Sequence, residues 1–247
     1  MYLTIQGLVL RITDYKDRDA LLTLLTADYG RLTVKARGLR RKNSPFAASC
    51  QLLAYGEFTL FEYRGMYTIN EAHTIELFSE LRADLQRLSL GTYFAQIAEV
   101  ISQEDMPTST LLSLILNCLF ALSKLQIPEE QIKAAYELRC ACIAGYEPDL
   151  YACHVCGALN PDRLDVSAGR IECSLCRGHR SEGLRLPLSG STLEAMRYIV
   201  SCDAKRLLGF TAAEETLVQL SQVTETYLAT QLERGFSALD FYKSLVF

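Results

Sequence analysis

The sequence predicts an α+β chain of more than one domain, with a five-stranded β-barrel at the N-terminus and an all-α domain interrupted by a zinc-ribbon-like module. Three observations carry this expectation. The first 80 residues alternate apolar and polar positions between turn residues, the period of half-buried strands. From Leu81 the apolar residues recur at steps of three and four, the period of a helix face. Two Cys-x2-Cys pairs fall within a span that neither pattern covers. The predicted boundaries are 1–79 for the barrel and 80–247 for the helical domain, with the cysteine module at 150–182.

Five strands are read in order. Tyr2 to Leu10 and Ala20 to Thr26 come first, the latter ending at the turn Asp28-Tyr29-Gly30. Arg31 to Arg37 alternates strictly. Leu52 to Tyr63 and Met66 to Leu77 are rich in aromatic and β-branched residues and flank the turn Arg64-Gly65. Strands this short fit a small closed barrel, which leaves no exposed sheet edge. A first helix runs from Leu81 to Ile101, with Ser79 as its N-cap and no capping box. Pro107-Thr108 opens a second through Leu125, and Pro128-Glu129-Glu130 a third through Ala144, with Gly145 as its C-cap. Further helices are read at Ser191–Val200, Ala212–Glu233 and Ala238–Leu245.

The composition narrows the function classes. An apolar share of 49% supports a hydrophobic core and argues against disorder. No apolar run approaches the ~20 residues of a membrane span, and the N-terminus has no signal-peptide pattern, so a cytoplasmic protein is expected. Nine cysteines, an odd count with no secretion signal, argue against a disulfide framework. Neither a GxxxxGK[ST] loop nor a GxGxxG turn occurs, so nucleotide hydrolysis has no support, and no set of residues resembles a catalytic constellation.

Cys153, Cys156, Cys173 and Cys176 have the spacing of a four-thiolate zinc site, two tight knuckles supplying a tetrahedron. Gly157 follows the second cysteine, where a knuckle favours positive φ. Asn160-Pro161-Asp162 and Ala168-Gly169 are turns around a short strand at Arg163 to Val166. Four thiolates leave no open position, so the zinc is structural rather than catalytic. The HxE and PCxxC pattern of zinc deaminases is absent. His154 and His179 are spare candidates, read as exposed loop residues. Cys50, Cys118, Cys140, Cys142 and Cys202 are read as core.

The whole chain has a net charge of −4, yet Tyr29 to Gly56 contains no acidic residue and six cations: Arg31, Lys35, Arg37, Arg40, Arg41 and Lys42. Residues 1–80 carry 10 basic and 9 acidic residues, and 81–247 carry 15 and 20, so the acidity belongs to the helical part. A cationic strand face running into a basic loop is a candidate track for a phosphate backbone, with Tyr29 and Phe46 as candidate stacking residues. The competing reading is a solvated face. Asp14, Asp17 and Asp19 are closely spaced, and with Arg11, Lys16 and Arg18 nearby they read as a solvated turn. Lys133 and Arg139 on the third helix are candidates to receive an anionic partner, against intrahelical pairing with a nearby glutamate.

These residues resemble a known family over essentially the whole chain. Gly7-Leu8-Val9-Leu10, Tyr15 with Asp19, Leu22-Thr23-Leu24-Leu25-Thr26, Gly30-Arg31-Leu32 and Ala36-Arg37-Gly38 before Arg40-Arg41 are similar to the barrel of the RecO family of bacterial recombination mediators. Leu81-Arg82-Ala83-Asp84-Leu85 with Tyr93 is similar to its first long helix. Tyr136-Glu137-Leu138-Arg139, running through Gly145-Tyr146 and Pro148-Asp149-Leu150 into Cys153, is the most specific stretch. The ending Arg234-x4-Leu239-x-Phe241 also fits, with Ser237 where a basic residue is usual. The resemblance implies an N-terminal OB-fold and a structural zinc module. It also implies a DNA repair mediator without nucleotide hydrolysis, one that binds single- and double-stranded DNA and anneals complementary strands. Its implied partners are RecR, sometimes RecF, the C-terminal tail of single-strand binding protein (SSB), and RecA, which it helps to load; its implied place is the nucleoid. The rival readings are a protein-interaction adaptor with the barrel as scaffold, and a hydrolytic metalloenzyme.

Overall fold

The computed structural model describes residues 2–176 and 183–245. Five strands form the barrel: β1 (Tyr2–Tyr15), β2 (Asp19–Thr26), β3 (Arg31–Ala36), β4 (Tyr55–Tyr63) and β5 (Met66–Glu76). They close in the order β1-β2-β3-β5-β4, with β1 pairing antiparallel to both β2 and β4. Closure is completed by a short parallel pairing, Val34 with Tyr67 and Lys35 with Thr68. This is the expected small Greek-key barrel of OB type. Alternate residues point inward, so Val9, Leu22, Leu24, Val34, Phe58 and Leu60 fill the interior.

Strand β1 runs five residues beyond the predicted Leu10. Its register shifts between Val9 and Arg11, a bulge that bends the strand from β4 toward β2. The bulge breaks the two-residue period there, which hid the second half of the strand in the sequence.

The chain divides into two compact units, residues 1–125 with 236–247, and residues 126–235. In the first, α1 (Ser79–Arg82), α2 (Leu85–Ile101) and α3 (Ser109–Lys124) accompany the barrel, with α7 (Ser237–Leu245) packed on α2. The predicted helix from Leu81 is thus two helices, and Ser79 is not its cap. Asp84 accepts the Arg87 amide at 3.1 Å and starts α2 afresh. Phe236 stacks edge-on against Tyr93 at 5.3 Å, and Gln96 holds the Ser237 hydroxyl and the Ala238 amide. Gly30 sits at φ 64°, where a Cβ would lie 2.1 Å from the Gln103 carbonyl oxygen, so the β2–β3 turn admits only glycine.

In the second unit, α4 (Glu129–Ile143) packs against α5 (Gly190–Ser201) and α6 (Glu214–Gln231). Residues Gln131 to Leu138 are all buried, which makes α4 the central helix of this unit. The cysteine module contains a small sheet in the order β7-β6-β8, from β6 (Arg163–Asp165), β7 (Arg170–Glu172) and β8 (Arg185–Pro187). The single short strand expected at Arg163 to Val166 is thus the middle one of three. The sheet's strands carry Asp165, Glu172 and Arg185, an ion-paired cluster with both carboxylates buried. Among the described residues, no helix is long and apolar enough to cross a membrane.

Candidate metal centre and nucleic-acid interface

The four module cysteines converge. Their sulfurs lie within 4.8 Å of one another, and Cys156 Sγ is 3.9 Å from Cys173 Sγ. A tetrahedron with metal–sulfur bonds of ~2.3 Å has edges of about 3.8 Å, so the set fits one ion. Backbone bonds shape the first knuckle. The Gly157 amide donates to the Cys153 carbonyl at 2.8 Å with Gly157 at φ 75°, and the Cys153 amide donates to Ala158 at 2.8 Å. The Cys173 amide points at Cys153 Sγ, 3.3 Å away. The module is tied to α5 by Arg197, whose guanidinium donates to the carbonyls of Leu150, Tyr151 and Leu159 at 2.8–2.9 Å.

Without a cation, Cys153, Cys173 and Cys176 do not ionise together. Desolvation raises Cys153, but amides of Cys156, Cys173 and Val155 outweigh it and bring the thiol down to about 6. Desolvation and the neighbouring sulfurs of Cys153 and Cys156 push Cys173 up to about 12. The bond between Cys176 and the Cys156 side chain, with desolvation, raises Cys176 to about 11. A divalent ion supplies the positive charge that four adjacent thiolates need. His154 Nδ1 faces the Ile171 carbonyl at 3.2 Å and stands outside the cluster, while His179 lies outside the described residues. Cys50, Cys118 and Cys140 are buried as expected, but Cys142 and Cys202 are only half-buried.

The six barrel cations do not act alike. Arg31, at the start of β3, gives its guanidinium to the Glu99 carbonyl of α2 at 2.7 Å. Lys35 pairs with Asp19 at 2.9 Å, and Arg40 pairs with Asp14. Arg37, Arg41 and Lys42 are exposed and carry no ion-pair partner among the described residues. The stretch that lacks acids in sequence is therefore compensated in part, at Lys35 and Arg40, by aspartates from outside it. The expected neutralisation of the hairpin aspartates by Arg11, Lys16 and Arg18 is corrected likewise: Arg11 pairs with Glu99 at 2.9 Å, while Asp14 and Asp19 reach Arg40 and Lys35. Adjacent strand residues point to opposite faces, so the true partners come from the next strand or loop.

Beside these cations lies a groove of about 560 Å³, lined by Tyr2, Tyr15, Lys35, Arg37, Phe61, Tyr63 and Met66 among others. Tyr2 and Tyr63 are 62% and 60% exposed. Tyr2 packs on Phe61 with ring centres 5.3 Å apart. Lys35 and Lys16 sit over the Tyr15 ring at 5.0 and 5.4 Å, and Arg64 over Tyr63 at 5.2 Å. Cations and open aromatic faces alternate along one surface, an arrangement able to hold phosphates and stack bases. The other two candidate stacking residues lie elsewhere. Phe46 packs partly buried against the barrel core, and Tyr29 sits on the β2–β3 turn, at the other end of β3 from Arg37. The aromatic residues that line the groove, Tyr2, Tyr15, Phe61 and Tyr63, stand at outward strand positions.

Lys133 and Arg139 are both committed internally. Lys133 is 3% exposed and pairs with Glu137 and Glu225, each at 2.9 Å. Arg139 donates to the Cys202 carbonyl. For Lys133 the intrahelical alternative holds, since Glu137 lies one turn on in a helix buried by its unit, and this corrects its reading as an open anion receiver; Arg139 is half-buried and engaged at Cys202.

Both halves of the chain match known proteins. Residues 1–78 match the family model described as Recombination protein O N terminal, and residues 82–240 match Recombination protein O C terminal. The chain is 33% identical over 246 residues to the DNA repair protein RecO of Acetivibrio thermocellus, covering 99% of this chain and 97% of the relative. It is 28% identical over 248 residues to the protein of the same name from Alkaliphilus metalliredigens, covering 99% and 100%. With both halves matched in order and a relative of this similarity aligned from end to end, the chain belongs to the RecO family.

Proposed function

We propose that this protein is a DNA repair and recombination mediator that binds single- and double-stranded DNA on its barrel and anneals complementary strands without covalent chemistry. The observation that carries this reading is the groove in which Lys35 and Arg37 lie among the exposed rings of Tyr2, Tyr15 and Tyr63. Arg37, Arg41 and Lys42 pair with phosphates, which gives affinity without base readout. The open rings stack on unpaired bases, so a single strand gains contacts that a duplex lacks. Neutralising phosphates on two strands lowers their repulsion, and pairing then follows from the bases themselves.

Family membership extends the reading to the partners: RecR, in some settings RecF, the acidic C-terminal tail of SSB, and RecA, loaded onto SSB-coated strands. The ion of the cysteine module is read as zinc, since four thiolates in a tetrahedron suit it and leave no coordination position for substrate. Its role is to fold the segment around residues 153–176, and no step of annealing passes through it.

The test is strand annealing, with and without SSB, on purified protein whose metal content has been measured. The triple variant Arg37→Glu, Arg41→Glu, Lys42→Glu is compared with the parent. It is expected to anneal poorly and to lower the salt slope of single-strand binding by about 2, at ~0.7 per phosphate contact. Unchanged affinity and slope would overturn the barrel as the binding surface. The adaptor reading then takes its place; it draws on Val155 and Leu175, which project at 52% and 96% exposure from between the paired cysteines.

A further inference from the structure

Two of the barrel's cations already have anions. Lys35 holds Asp19 at 2.9 Å, with side-chain exposures of only 17% and 21%, and Arg40 holds Asp14 near the exposed end of β1, next to the groove-lining Tyr15. Asp19 also accepts the Gly38 amide at 2.9 Å, at the start of the basic loop. The Arg40 amide donates to the Arg18 carbonyl at 3.1 Å, which lays that loop against the β1–β2 turn. Asp19 therefore engages a cation of the groove and Asp14 a cation of the basic loop, each in the place of a phosphate oxygen.

We propose that Asp14 and Asp19 are built-in competitors of the nucleic-acid phosphates for Arg40 and Lys35, and that they set how tightly the barrel holds a strand. The inference rests on the reading of the barrel as the DNA-binding surface. A carboxylate and a phosphate oxygen make the same charge-assisted bond to a guanidinium or an ammonium, so a strand gains Arg40 or Lys35 only by displacing an aspartate. Arg37, Arg41 and Lys42 engage without that exchange. A face so divided binds with fewer net counterions released than its cation count suggests, and its outer contacts open and reclose at little cost. A protein that aligns two strands and then lets go of the duplex needs such reversibility. Lys16 and Arg18, exposed on the β1–β2 turn, keep the local potential positive while the aspartates move between partners.

The experiment is a salt titration of single-stranded DNA binding by full-length Asp14→Asn, Asp19→Asn and the double variant. Asp28→Asn is the control for net charge, since Asp28 is exposed on the β2–β3 turn and has neither Lys35 nor Arg40 as a partner. The Asp14–Arg40 pair is exposed and weak, so Asp14→Asn is expected to tighten binding about two- to fivefold at low salt, and Asp19→Asn, at a less exposed pair, by at least as much. Each is also expected to steepen the slope by about 0.7 as one more cation joins the phosphates. Asp28→Asn is expected to leave the slope unchanged. In the Asp14→Asn background, Arg40→Gln should then remove that added slope. Asp14 is exposed, so its variant keeps the test open even if Asp19→Asn impairs folding at Gly38. If Arg37→Gln and Arg41→Gln weaken binding while Asp14→Asn behaves as Asp28→Asn does, the competition is overturned and the barrel reading survives. If none of these variants changes binding, the barrel reading itself has failed.

Discussion

The barrel and the helix α4 carry the same residue types to opposite ends. On the barrel, Arg37, Arg41 and Lys42 stand in solvent without carboxylate partners among the described residues, while on α4 Lys133 is 3% exposed between two glutamates. A cation on an exposed loop keeps its charge available to a ligand. A cation on a central helix must be paired where it lies, because an isolated buried charge costs several kcal/mol. The difference teaches that charge counted along a sequence predicts partners only where the surrounding element leaves it open to water.

Three substitutions sharpen or break that contrast. The largest effect is expected for Lys133→Met, which strands Glu137, a fully buried carboxylate, without its cation. Removing one partner of a buried pair costs ~3–5 kcal/mol, read as a lower urea midpoint, with no loss of DNA affinity in the fraction still folded. A stability unchanged within ~0.5 kcal/mol would show that the pair is not what holds α4 to α6. Next comes Tyr63→Ala on the groove. Loss of one stacking platform should weaken single-strand binding by ~1–3 kcal/mol, leave duplex binding nearly unchanged, and leave the salt slope as it was. Equal losses for both forms of DNA would remove stacking from the account. The smallest effect is expected at Glu80, whose carboxyl is held at about 2 by the Lys124 ammonium, its own amide and the Ser123 hydroxyl. Its folded pKa lies below the unfolded value of 4.5, so its contribution is fully present above pH 4.5 and is lost as pH falls toward 2. A Glu80→Gln variant should differ slightly from the parent near neutral pH and match it at pH 2, measured by thermal melting; a constant difference would mean the bond matters through its shape and not its charge.

The metal ligands were legible because both members of each knuckle lie two residues apart and the local backbone brings them together. The barrel was legible as five strands with a turn after most of them. Its first strand was read short because the bulge at Val9–Arg11 interrupts the alternation, and the helix after Leu81 was read as continuous because Asp84 looks like any polar position until its side chain takes the Arg87 amide. The aromatic groove was not legible at all. Tyr2, Tyr15, Phe61 and Tyr63 come from β1 and β4, and only barrel closure places them beside Lys35.

The sequence by itself determined the order of barrel, helices and cysteine module, the four sulfurs, and the family, since these depend on periodicity and short spacings. Tertiary structure alone decided which charges are free. Ion pairs form between strands, loops and helices far apart in the chain, Asp14 with Arg40 and Lys133 with Glu225 among them, and electrostatic energy depends on distance and burial rather than on sequence separation.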